Sequence, residues 1–215
     1  MKIGPKYKIC RRLGERVFAK CQTTKFSISG SARRPGQVRK SAAPKTAVRP
    51  GGGPRPASRR NLSEYGSQLL EKQKARYTYG LGERQFASQV KRYRGEVALY
   101  QSLETRIDNA VFRLGWAPSR AAARQAVTHG HILVNGRRVS TPSYSVRPGD
   151  KISLRPSSRE RPLFRDLDER LKDYQPPAWL AAPAIGEGEV LASPAVGESE
   201  LNLNFGAIIG FYSRV

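Results

Sequence analysis

The residues whose chemistry can be tested first are Cys10, Cys21, His129 and His131. A zinc site draws on four nitrogen, sulfur or oxygen ligands. The two cysteines supply half a set, and the histidines lie more than a hundred residues further along. Two small, partly buried thiols are the simpler reading, and no metal is expected. His129 and His131 bracket Gly130 without a neighbouring nucleophile or carboxylate pair, so polar contacts or local capping suit them better than acid–base catalysis. Gly80-Leu81-Gly82 lacks the third glycine of a dinucleotide fingerprint and follows a helical pattern, not a strand. There is no phosphate-binding loop of the nucleotide-hydrolase type. The sequence thus points away from an enzyme and calls for no cofactor.

What the chain has in excess is cationic side chains. Its 215 residues carry 39 Lys or Arg against 17 Asp or Glu, a formal net charge of +22. That excess implies a polyanionic partner. A membrane surface is disfavoured, because no long uncharged apolar run and no basic helix with a broad apolar face is present. Nucleic acid is the expected ligand. Residues 1–60 hold 17 basic residues against the single acid Glu15, whereas residues 156–215 hold six against nine, so the two ends have different tasks. Within residues 107–155, eight bases accompany two acids. Arg120 and Arg124 stand i, i+4 at the start of a helix, where a cation opposes the helix dipole. A phosphate docked at that helix start would offset the cost.

The elements that must position these side chains are clearest between residues 103 and 155. Leu103, Ile107, Ala110, Val111 and Leu114 recur at helical spacing, with Arg106, Asn109 and Arg113 on another face. Ser119 is a candidate N-cap for a second helix that stops at Gly130. HILVNGRRV changes to period two, and Asn135-Gly136 signals a tight hairpin. Pro148-Gly149-Asp150 turns the chain into a further strand over Lys151–Arg155. Before this unit, Ser63 opens a helix that ends near Tyr79-Gly80, and a second begins near Glu83. A break at Gly95 separates residues 83–94 from a helix over 96–114. A short helix is expected around Arg11–Phe18, and the Gly/Pro-rich basic stretch 30–60 cannot form a core. After it, Leu163–Tyr174 reads as a short charged helix, then a Pro/Ala/Gly-rich extended arm, then one or two strands within Leu201–Tyr212. The expected fold is α+β: a helical domain at 61–102, completed by 156–215, a small α-plus-hairpin module inserted at 103–155, and extended termini, with 1–60 as a basic extension. The two cysteines fit a reducing compartment.

LETRIDNAVFRLG, SRAAARQAVTHGHILVNGRRV and SVRPGDKISLR together resemble the RNA-binding module named after small-subunit ribosomal protein S-four. Similar modules occur on RNA-modification enzymes and a ribosome-rescue factor. The flanks SEYGSQLLEKQKARYTYGLGERQF, PPAWL and FYSR resemble the bacterial-type ribosomal protein family itself, over nearly the whole chain. That resemblance implies a structural constituent of the small ribosomal subunit that binds the 5′ domain of its rRNA early in assembly and helps line the path of incoming mRNA. The implied setting is a bacterial cytoplasmic ribosome, with an organellar ribosome as the alternative. Some family members bind zinc through four N-terminal cysteines; only Cys10 stands near such a position, so no metal is carried over.

The RNA contacts expected on this reading are Lys6, Lys8, Arg11 and Arg12 near the N-terminus, and Arg59 and Arg60, which face the mRNA by family position. Lys72, Lys74, Arg76 and Arg84 follow on the helical domain. On the module they are Arg106, Arg113, Ser119, Arg120, Arg124, Gln125, His129, His131, Asn135, Arg137 and Arg138. Trp179, Phe211 and Tyr212 are expected to anchor the C-terminal arm on a neighbouring ribosomal protein, with packing on the chain's own helical domain as the competing outcome.

Overall fold

Asn135 and Gly136 adopt φ values of 50° and 76°, the pair of positive angles that a type I′ turn requires. They join strands β1 (Ile132–Val134) and β2 (Arg137–Val139) in antiparallel register. The computed structural model describes residues 4–23, 26–28, 63–172, 174–195 and 203–214. The basic stretch 30–60, with Arg59 and Arg60, lies outside the described residues.

Strand β3 (Lys151–Leu154) pairs with the other side of β1, placing Ile132 opposite Leu154 and Val134 opposite Ile152. All four are buried. Helices α5 (Ile107–Arg113) and α6 (Arg120–Thr128) cover them, so Val111, Leu114, Ala123 and Val127 share one core with the sheet. Ser119 caps α6 as expected, its hydroxyl accepting from Ala122 N–H at 3.2 Å, and Gly130 ends it at φ 70°.

The helix expected over 96–114 is two helices, α4 (Glu96–Glu104) and α5. Arg106 between them is extended and bridges Ser145, while Val146 N–H donates to the Thr105 carbonyl and Ile107 N–H to that of Tyr144. A returning segment some 40 residues later captures the backbone that a continuous helix would need. The break at Gly95 is present, between α3 (Glu83–Arg92) and α4.

Residues 180–190, expected as an extended arm, form a hairpin of β4 (Leu180–Ala184) and β5 (Glu187–Val190), and β5 pairs with β3. The sheet order is β2-β1-β3-β5-β4. Gly188 permits this, because a Cβ there would fall 2.7 Å from the Leu114 side chain. Pro183 sits on the edge strand within the register shift between Ala181 and Ala184, outside the paired positions. Among the described residues of the expected charged helix, only Leu167–Leu171 is helical, as α7. Phe164, Leu167, Trp179, Leu180 and Val190 join the module core, so residues 156–190 complete the module and not the helical domain.

The helical domain is completed by α8 (Phe205–Ser213), a helix where strands were expected. Asn204 caps it by accepting from Ala207 N–H at 2.8 Å. Packing overrides the β-branched composition: Phe205 and Ile208 enter the core formed by Phe86, Leu99, Tyr100 and Leu103. This layer also holds α2 (Glu64–Thr78), capped by Ser63 as expected. Near the N-terminus, α1 spans Lys6–Leu13, earlier than expected, because Pro5 precedes the first turn, where its absent N–H is harmless. Cys10, Cys21 and Phe26 form a small separate core. Burial, then the adjacent Cys10, pushes the Cys21 thiol up to about 11, so it is an inert packing group.

Candidate nucleic-acid interface

Where the helical layer meets the module, arginines and two carboxylates form a buried network. Glu104, fully buried, accepts from Tyr79 Oη at 2.7 Å, Asn109 Nδ2 at 2.7 Å, and Arg113 Nε and Nη2 at 2.9 and 3.2 Å. Burial alone would raise its pKa, but Arg113 leads the opposing interactions and the net shift is downward. Tyr79 is raised well above its ordinary value by burial and by that carboxylate. Asp108 accepts from Arg106 Nε and Nη2 at 3.1 and 3.0 Å and from Arg124 Nε and Nη2 at 2.8 and 2.7 Å. Arg124 also donates to the Gly80 and Tyr79 carbonyls at the C-terminal end of α2.

These interactions give several of the expected RNA-binding arginines partners within the chain. Arg106 and Arg113 are buried and paired with Asp108 and Glu104. Arg120 donates to Asn109 Oδ1 at 2.7 Å and lies over Phe112, and Arg124 is held by Asp108. The counter-charge that the α6 arginines require is supplied mainly from within the chain. The same holds on α2. Lys72 and Arg76 both reach Glu83, while Lys74 bridges Glu15 and Glu71 at 2.6 and 2.7 Å. Those two carboxylates outweigh the burial of Lys74 and hold its ammonium above its ordinary pKa. Asn135 is a turn residue, donating to Asp150 Oδ1 and accepting from Lys151 N–H.

The expected partner anchors also turn inward. Trp179 is 2% exposed in the module core, Phe211 packs on Tyr65 beneath the Lys72 ammonium, and Tyr212 Oη donates to Glu83. The large hydrophobic side chains left exposed at the hairpin turn and just after β5 are Ile185 and Leu191.

The outward-facing cations form a different set. Lys6, Lys8, Arg11 and Arg12 project from α1, and Arg84 from α3. Two clefts lie between these elements and the module. One, of about 740 Å³, runs between the α2–α3 turn and Pro142-Ser143 and is lined by Arg84, Arg106 and Arg124. The other, of about 490 Å³, separates the N-terminal segment from α6. Gly80 and Arg124 line both, so their contact is the ridge between them. At the far end of the module, Arg137 and Arg138 stand exposed on β2, and Gln125 and His129 are exposed nearby. His131 Nδ1 lies 2.9 Å from Ser158 Oγ. Its pKa is lowered by burial first, then by the positive fields of His129, Arg161, Arg138 and Arg155. Ser119 serves as a cap and also lines the smaller cleft.

Sequence reasoning missed Lys20, Phe18 and Tyr77 on that cleft and Arg155 and Arg161 beside His131. No local spacing marks them; they meet only through tertiary packing. Residues 1–93 match the ribosomal protein S4/S9 N-terminal domain family, and residues 105–152 match the S4 domain family. The chain is 46% identical to the small ribosomal subunit protein uS4 of Roseiflexus castenholzii, over 99% of this chain and 98% of that one. It is 44% identical to its namesake from Natranaerobius thermophilus, over 83% and 82% of the two chains, and 42% identical to uS4A of Symbiobacterium thermophilum, over 98% of each.

Proposed function

The chain belongs to the small ribosomal subunit protein uS4 family, and from that membership we propose that it is a structural, rRNA-binding constituent of the small ribosomal subunit. The observation that carries this reading is the near full-length similarity, which includes the helical flanks as well as the module. An RNA-modification enzyme or rescue factor would share the module alone. The charge distribution supplies the physical support: cations at the domain junction are neutralised internally, leaving those on α1, α3 and β2 directed outward. Affinity then comes from phosphate contacts, and selectivity from the fit of a rigid body to folded RNA whose A-form grooves offer little direct base readout.

On this reading the protein performs no chemistry of its own. It binds the 5′ domain of small-subunit rRNA, limits the geometries open to a helix junction, and so favours later assembly steps. The basic stretch 30–60, with Arg59 and Arg60, runs along RNA towards incoming mRNA, and neighbouring ribosomal proteins contact the outer surface. The relatives are bacterial, which supports a bacterial cytoplasmic ribosome.

The test is binding to 5′-domain rRNA, duplex DNA and transfer RNA across a salt series, with sedimentation of the protein from cells. Preference for the rRNA and co-migration with small subunits are expected. Equal affinity for all three polymers and absence from the small-subunit fraction would overturn the proposal.

A further inference from the structure

The cleft of about 490 Å³ between the N-terminal segment and α6 has the composition of a nucleotide site. Phe18 and Tyr77 meet edge to face at 5.8 Å in one wall. Phe112 also lines it, with the Arg120 guanidinium 4.4 Å above its ring. Lys6 stands 5.9 Å over the Phe18 ring, and the exposed Lys20 also lines the cleft. Among the described residues, no Asp or Glu lines the cleft. Its volume lies within the range of small-ligand sites, roughly 300–1,000 Å³.

Each feature selects the same chemistry. Aromatic rings and an arginine plane stack on an unpaired base, whatever its identity. Lysines at the rim attract its phosphates, and a lining without carboxylates does not repel them. A base-paired helix is too wide to enter, whereas one extruded nucleotide fits. The larger cleft beside it differs: arginines, Gln85, Gln89 and Ser88 line it, without an aromatic ring among the described residues on which a base could stack.

We propose that this cleft receives a single unstacked nucleotide of the bound rRNA, its base against the Phe18, Tyr77 and Arg120–Phe112 walls and its phosphate at Lys6 and Lys20. The proposal rests on the rRNA-binding reading above and adds a defined contact to it. An inserted nucleotide would also clamp the N-terminal segment, α2 and α6 together, since all three contribute walls.

The full-length protein is bound to 5′-domain rRNA, irradiated with ultraviolet light, digested and analysed by mass spectrometry, with chemical probing of base accessibility in parallel. Nucleotide adducts on Phe18 or Tyr77, and one unpaired base shielded in the complex, are expected. Phe18→Ala should expose that base and weaken binding about tenfold, the loss of one base stack. Lys20→Glu, a surface change that leaves the walls intact, should expose the same base. Adducts confined to the region of Arg137 and Arg138, with unchanged probing in both variants, would overturn this site while leaving rRNA binding intact. Failure to bind the rRNA at all would overturn both. Adducts absent from the cleft while adenosine monophosphate alone protects it would make it a small-molecule site and refute the assignment.

Discussion

Replacing Glu104 with glutamine keeps the shape of the side chain and removes its charge at the point where the helical layer meets the module. The carboxylate accepts four hydrogen bonds from Tyr79, Asn109 and Arg113, and it is fully buried. Glutamine offers one acceptor oxygen and turns an NH₂ towards groups that are themselves donors. The Arg113 guanidinium, 4% exposed, then remains charged without its buried counter-ion. Breaking a buried pair from one side costs about 3–5 kcal/mol, a large part of a typical stability of about 5–15 kcal/mol. With a urea slope of about 2 kcal/mol per molar, the unfolding midpoint should fall by about 2 M. Fluorescence can follow it, because Trp116 and Trp179 are both buried. Adding Arg113→Met should recover part of the loss by removing the stranded charge. The dependence on acid has a definite sign. The folded carboxyl titrates below its ordinary 4.5, so its contribution is complete above that pH and disappears as pH falls through the lower folded value. The variant should lack this component of acid unfolding. A loss under about 1 kcal/mol, or an unchanged acid profile, would refute the view that this network joins the two units.

Four further outcomes separate internal from external cations, test the revised fold and probe His131. Arg124→Ala should cost about 2 kcal/mol in urea unfolding, a value reduced for its partial exposure, with little change in the salt dependence of rRNA binding. Arg137→Ala with Arg138→Ala should do the reverse, lowering the salt slope by about 0.7–0.9 for each phosphate no longer neutralised; unchanged slopes would remove these residues from the interface. Gly188→Ala should cost about 1–3 kcal/mol by forcing a methyl against Leu114, and an unchanged midpoint would argue against β5 lying on α5. His131 is held below 6.5 in the free protein, so its contribution to stability is present above that pH and is lost as the medium is acidified. A nearby phosphate opposes that shift, so rRNA affinity at fixed salt should rise from pH 7 towards 6 more steeply than in His131→Gln; equal slopes would place His131 away from phosphate.

Features set by neighbouring residues were legible in the sequence, and features set by distant ones were not. Ser119, Gly130 and Asn135-Gly136 specify their backbone within a few positions, and the structure has each as read. The break at Thr105-Arg106 left no trace, because α4 and α5 both bury residues at helical spacing and the stripe from Leu103 through Ile107 to Leu114 continues across it. FGAIIGFYS became a helix only because α2 and α4 supply a groove for Phe205 and Ile208. AAPAIGEGEV has weak strand propensity, and the exposed side of β3 imposes pairing on it.

The arginines carry the same lesson into function. A side chain's charge identifies the sign of its partner but not the partner, and the surplus of bases over acids favoured phosphate for all of them. The few acids present decide the outcome through burial: Glu104 and Asp108, between them, hold Arg113, Arg106 and Arg124. In a low-dielectric interior such pairs fix geometry, while exposed cations remain available and are screened by salt. The junction therefore uses arginine for rigidity, and on the proposed reading the exposed cations outside it are the ones left for RNA. Because the Gly80–Arg124 contact forms the ridge shared by both clefts, RNA segments seated on its two sides would be held at a separation that the buried network sets. Loosening Glu104 should then weaken discrimination among folded RNAs more than total affinity, since phosphate attraction survives a blurred spacing and shape recognition does not.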